Sequence, residues 1–167
     1  AWYQGVKMAI FDVSDVSNPI ELHKVVIGDR GTDSEALSNH KAFLFNKEKE
    51  LLVLPISLAE IQGEKTQDNQ YGEHTFQGAY VYNINLEEGF NLKGRVTHYT
   101  AEDYLKMGYY FAGDKSVSRS LYMDNTLYTF SPSIIKANDL DDLSEINSVN
   151  LPYEQNYGYG YAESGVM

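Results

Sequence analysis

Short β-forming runs recur along the whole chain, each halted by turn residues, and no stretch keeps a long helical period. Residues 6–13 (VKMAIFDV) stop at Ser14-Asp15-Val16-Ser17-Asn18-Pro19, where proline cannot continue a central strand. Residues 20–27 (IELHKVVI) close at Gly28-Asp29-Arg30-Gly31. Residues 41–46 and 50–56 flank Lys47-Glu48-Lys49 and read as a hairpin, and 78–85 with 91–99 form another pair. The pattern finishes with 119–123 and 126–131 across Asp124-Asn125, then 134–140 and 145–151 across Asp141-Asp142. Ten candidate strands, mostly of five to nine residues, predict an all-β fold. Two longer connections interrupt them. Residues 57–77 are polar and too long for a passive link. Residues 99–118 carry Thr100-Ala101-Glu102-Asp103, a capping-box pattern. It predicts one or two helical turns ending at Gly108, which bury Tyr104, Leu105 and Met107 against a sheet end.

The runs also repeat in wording. Three strands end in related words, AIFDV at 9–13, VYNI at 81–84 and KANDL at 136–140. The hairpin words AFLF at 42–45 and LLVL at 51–54 have a counterpart in 120–122 and 127–130. Asp12, Asn83 and Asp139 lie 71 and 56 residues apart, which falls toward a four-stranded blade of about 40–50 residues once the two long loops are set aside. Asp or Asn at the strand end is expected to bond the backbone two residues on and start the turn. The reading is a β-propeller of four-stranded antiparallel blades, with 1–28 a partial blade, 41–99 and 119–151 blades, and 153–167 a Tyr/Gly-rich tail. About two and a half blades leave sheet edges and faces that a ring would cover. The chain is therefore expected to pair with remaining blades of the same polypeptide or with another copy. An antiparallel β-sandwich is the competing architecture.

GVKMAIFDVSDVSNP, SEALSNHKAFLF and RSLYMDNTLYTFSPSIIKANDLDDL resemble the β-propeller domain of secreted archaeal and bacillary proteins. The resemblance extends over nearly all of residues 2–152. It implies a secreted or envelope location and a longer protein with this chain as the C-terminal part of the propeller, and it carries no catalytic motif. The start at Ala1-Trp2-Tyr3-Gln4, without initiator methionine or signal peptide, gives the same expectation of a piece of something longer. The ending YEQNYGYGYAESGVM has no counterpart in the family and reads as a flexible tail or an added edge strand.

Composition narrows the function classes. Thirteen Lys and Arg against 24 Asp and Glu leave a net charge of −11, unsuited to a phosphate backbone. The absence of cysteine removes disulfides, thiolate metal sites and thiol catalysis. No apolar run reaches the ~20 residues of a membrane-spanning helix. Gly-x-Ser-x-Gly, Walker and His-Glu-x-x-His motifs are all missing, and nothing orients Ser34, His40 and an acid as a triad. Adjacent carboxylates such as Glu87-Glu88 and Glu102-Asp103 sit in turns or point apart.

In a propeller the inter-blade loops share a face with the loop between each blade's second and third strands, and loops carry binding on a rigid frame. Here that face would collect residues 28–40, 57–77 and 99–118, hence His40 and His74 with His98 beside them, and Tyr104 and Tyr109. Imidazole with carboxylate suits a transition metal, and oxygen-rich loops suit calcium, for which Asp29, Asp33 and Glu35 are the nearest ligands. The plainer reading has His40 capping its loop, His74 and His98 exposed, and 28–35 a solvated turn. The tyrosines Tyr99, Tyr104, Tyr109 and Tyr110 with Phe111 serve either as a carbohydrate or peptide platform or as packing. The expected function is a non-catalytic extracellular scaffold or binding module for a protein or carbohydrate ligand. An extracellular hydrolase or lyase with a propeller active site and a self-contained β-sandwich adhesion module are the alternatives.

Overall fold

The structure is a computed structural model that describes residues 3–106, 108, 111 and 113–153. Strands β1 (Val6–Asp12) and β2 (Ile20–Ile27) form a two-stranded antiparallel sheet. Strands β3 (Leu44–Asn46), β4 (Leu51–Glu60), β5 (Glu73–Asn85) and β6 (Gly89–Val96) form a four-stranded sheet in chain order. So do β7 (Arg119–Met123), β8 (Thr126–Phe130), β9 (Ile134–Asp139) and β10 (Glu145–Asn150), which follow the helix α1 (Ala101–Lys106).

The middle blade is a hub with a core on each face. Alternation along β4 sends Leu52, Leu54, Ile56 and Leu58 to one side, where Tyr80, Tyr82 and Phe76 join Ile27 and Met8 of the first sheet. Leu51 and Val53 point the other way, with Ala79, Val81 and Val96, onto Leu127 of the third sheet and onto Val117 and Leu140 that flank its strands. A two-layer sandwich buries only one face of each sheet, so this stacking of three sheets is the propeller arrangement and displaces the sandwich alternative. Each such apolar side chain, fully removed from water, contributes roughly 1.5–3 kcal/mol.

The internal repeat is visible in the strand register. A bulge separates Ile10 from Phe11 on β1 and Val81 from Tyr82 on β5, and the same break lies opposite Ala137 and Asn138 on β9. Each extra residue, Leu22, Lys93 or Ile146, sits on the outer strand of its sheet. Asp12, Asn83 and Asp139 follow these bulges at the same two-residue spacing. The turn chemistry is not identical, however. Asp12 accepts from the amide of Ser14 at 2.8 Å and Asp139 from that of Asp141 at 2.7 Å. In the middle blade Asn85 does this work, accepting from Glu87 and Glu88, while Asn83 reaches Glu50 at 3.4 Å.

Several boundaries differ from the sequence reading. The expected strand at 41–46 begins only at Leu44, because His40–Ala42 forms a 3-10 turn capped by Asn39, whose side chain accepts from Lys41. The expected loop 57–77 is strand at both ends: β4 runs to Glu60 and β5 starts at Glu73, as Ala59 pairs with His74 and Glu60 with Glu73. Strand 91–99 ends at Val96. The helix, described over Ala101–Lys106, does not reach Gly108, and Leu105 is 87% exposed rather than buried against a sheet. Tyr104 instead meets the rings of Tyr99 and Phe111 at 6.2 and 5.5 Å, whereas Met107 lies outside the described residues.

Candidate functional site

The crossing from the first sheet to the middle blade is fastened along the end of β4. Gly28 takes φ +64°, and a side chain there would press into Thr32, Leu58 and the Ala59 carbonyl. Asp29 donates its amide to Ala59 at 2.8 Å and accepts at its carboxylate from the Ile61 amide, also at 2.8 Å. The Thr32 hydroxyl donates to the Ala59 carbonyl and accepts from the Ala59 amide, which imitates a strand partner. Asp33 then makes a two-way backbone bridge with Ser57, and Ser34 Oγ donates to the Pro55 carbonyl at 2.6 Å.

Above this zip lies Arg30, 8% exposed, whose guanidinium sits 4.2 Å from the centre of the Tyr71 ring and 5.9 Å from that of Tyr3. Its Nη1 donates to the Asn69 carbonyl at 2.8 Å and its Nη2 to the Tyr71 hydroxyl at 3.1 Å. Gln4 ties the first residues to the same hairpin tip through Asp68 and Lys65. The result is an open cleft of about 1180 Å3 between the N-terminal residues, the inter-blade loop and the β4–β5 tip. Tyr3, Asp33, Leu37, Tyr71, Glu73 and His74 are among its walls, with the two tyrosines more than half exposed.

Of the residues singled out in the sequence, the cleft therefore brings together Asp33 and His74. His40 starts the 3-10 turn elsewhere, and Tyr104 belongs to the aromatic trio on α1. Tyr109 lies outside the described residues. Asp29, Asp33 and Glu35 do not share a ligand: their carboxylates accept from Ile61, Ser34 and Asn39 respectively. Among the described residues no group of three or more His, Asp or Glu side chains is placed to hold a metal ion. Arg30, Tyr3 and Tyr71 went unnoticed in the sequence, whereas the loop-face reading already takes in Glu73. The flanking Gly28 and Gly31, the latter at φ +107°, were the available signal for a loop that wraps Arg30 inward.

His98 is not exposed, as the plainer sequence reading had it, but 1% accessible between the second and third sheets. Its Nε2 meets Thr129 Oγ1 at 2.8 Å and its Nδ1 meets Ser131 Oγ at 2.9 Å. Ser131 Oγ donates to the Ile134 carbonyl, which assigns Nδ1 as the donor to Ser131 and leaves Nε2 to accept from Thr129. Burial, with the Lys136 charge added, pulls its pKa down to about 4, against a smaller opposing effect of Glu145. The ring is a neutral structural pin.

A second pin lies beside it. Gln77, 3% exposed, donates from Nε2 to the Val117 carbonyl and accepts at Oε1 from the Val117 amide, both at 2.8 Å. The amide thereby stands in for a strand backbone and fastens the middle blade to the start of the third. Gln77→Ala is expected to destabilise by about 2 kcal/mol in urea unfolding, because both Val117 groups lose their partner. A change below about 0.5 kcal/mol would contradict that assignment.

A family model described as a beta propeller domain matches residues 1–143. No curated protein and no solved structure matches the chain. No helix among the described residues is long and apolar enough to cross a membrane.

Proposed function

The chain belongs to the beta propeller domain family, and from that premise we propose that it is a non-catalytic, extracellular binding module that takes its ligand on the loop face. The cleft of about 1180 Å3 carries this reading, because its walls are loops latched to the most deeply buried strand of the hub. A site on such a frame is held in place before the ligand arrives, which limits the ordering cost of binding. Two half-exposed tyrosine rings offer flat apolar faces with polar tips, and Asp33, Glu73 and His74 supply acceptors. With the chain's −11 charge, that combination favours a neutral or cationic ligand with a flat apolar side, such as an oligosaccharide or a Lys/Arg-bearing peptide. The extracellular placement is supported by the resemblance of the three strand segments to secreted proteins.

Saturation-transfer NMR with neutral oligosaccharides and with basic and acidic peptides tests the proposal. Binding by a member of the first two groups, weakened about tenfold by Tyr71→Ala and less by Tyr71→Phe, is expected. Absence of binding, or binding indifferent to Tyr71→Ala and Glu73→Ala together, would overturn it.

A further inference from the structure

A second groove, of about 400 Å3, runs beside the free edge of β1 on the opposite side from β2. Consecutive residues Val6 to Ile10 line it, as expected of a strand seen edge-on, and its floor is Leu52 and Leu54 of the hub. Its rim carries three large apolar side chains that are half exposed or more: Leu37 at 68%, Phe43 at 52% and Phe45 at 50%. Among the described residues β1 pairs only with β2, so one row of its backbone N–H and C=O groups has no strand partner. The groove is also continuous with an established interface, since Met8 and Ile27 of the first sheet already pack on the same face of the hub.

The internal repeat says what shape fits. The bulges place Met8, Ile10 and Asp12 at the positions of Ala79, Val81 and Asn83. In the hub those three are covered on their inner side by Pro55, Val53 and Leu51 of β4, which in turn pairs with β3. We infer that the β1 groove is a β-augmentation site that takes an extended two-strand segment with alternating apolar residues, of the kind β3 and β4 form, in the register that completes a four-stranded blade. The segment's first inward residues would then lie on Leu52 and Leu54, as Leu51 and Val53 lie toward Leu127. A second copy of the described chain is a poorer occupant, because its β3–β4 pair is already used within its own sheet. This inference goes beyond the binding-face reading and does not rest on it.

A fusion tests it: a copy of residues 41–72 joined ahead of Trp2, which reproduces the spacing between β4 and β5. Hydrogen exchange of the β1 amides Lys7 to Ile10 is expected to slow by about tenfold or more relative to the parent chain, with the fusion monomeric. Because the chain has no cysteine, register is read independently. Ile10→Cys with Val53→Cys in the added copy is expected to form a disulfide, and Phe11→Cys with the same partner is not. Unchanged β1 exchange, a disulfide at the wrong position, or dimerisation through β1 would overturn the inference. If the fusion fails to fold, a free peptide of residues 41–60 added to the unmodified chain decides: protection of the Lys7 and Ala9 amides at saturation supports the site, and its absence refutes it. Ligand binding at the loop cleft is measured separately on the parent chain, so neither failure is mistaken for the other.

Discussion

Replacing Ile56 by alanine is expected to lower the unfolding free energy by about 4 kcal/mol, the largest loss from a single apolar truncation in the chain. Ile56 is 0% exposed and sits mid-strand in β4, on the hub face that packs against the first sheet. Its neighbours there, Leu54, Leu58 and Phe76, are themselves buried, and the opposing residue on β5 is Gly78. Gly78 cannot yield space, because even a Cβ on it would come within 2.2 Å of the Val96 carbonyl. The backbones are thus already in close contact, and a cavity left by the lost methylenes cannot be closed by strand movement. Ile56→Val, which removes one methylene, is expected to cost about 1 kcal/mol, and Leu105→Ala on the exposed side of α1 less than about 0.5 kcal/mol. Urea unfolding of the three variants checks the order. An Ile56→Ala loss below about 1 kcal/mol would mean that the first sheet does not seal that face.

Acid should expose the second large effect. At pH above the ordinary histidine value of 6.5, His98 is neutral whether folded or not, and contributes no pH dependence. Between 6.5 and about 4 the unfolded chain takes up a proton that the folded one refuses, so stability falls as pH falls. The slope approaches about 1.4 kcal/mol per pH unit, for a total near 3 kcal/mol, and it levels off once the folded ring also protonates. Carboxylates act in a lower window. Asp103 is held at about 2 by Lys115 and by Thr100, and Glu145 is lowered by Lys136 and Ser148. Their contribution is present above their unfolded values of 3.8 and 4.5 and is lost as pH falls through the folded ones. The interval from pH 6.5 to 4.5 therefore reports His98 against its surroundings. His98→Gln is expected to lose some stability at pH 7 but to flatten that interval. An equal slope in wild type and His98→Gln would contradict the buried, neutral assignment.

How much of this was legible beforehand differs element by element. Strand identity in β1, β2 and β7–β10 could be read because turn residues bracket each run. The shared AIFDV, VYNI and KANDL words marked the same bulged position in all three sheets. The long β4–β5 hairpin was not legible, since Glu60, Glu73 and His74 look like loop chemistry and are recruited to strand by the ladder itself. Gln77 passed without notice and His98 was read as exposed for a related reason: a polar residue near a strand end looks like a surface residue. Only the facing partners, Val117 for one and Thr129 with Ser131 for the other, make their burial affordable. Of the cleft, the sequence supplied Asp33 and His74 through loop placement but not the tyrosines that face Arg30, which are 68 residues apart in the chain.

Site-resolved hydrogen exchange on the unmodified chain tests most directly the claim that the middle sheet is a hub covered on both faces, with open sheets on either side. The account predicts the slowest exchange in β4 and the central part of β5, with faster exchange along the free edge of β1 and throughout β10, where all six residues are exposed. Protection of β1 and β10 equal to that of β4 would contradict it, because those edges would then be paired within the chain itself.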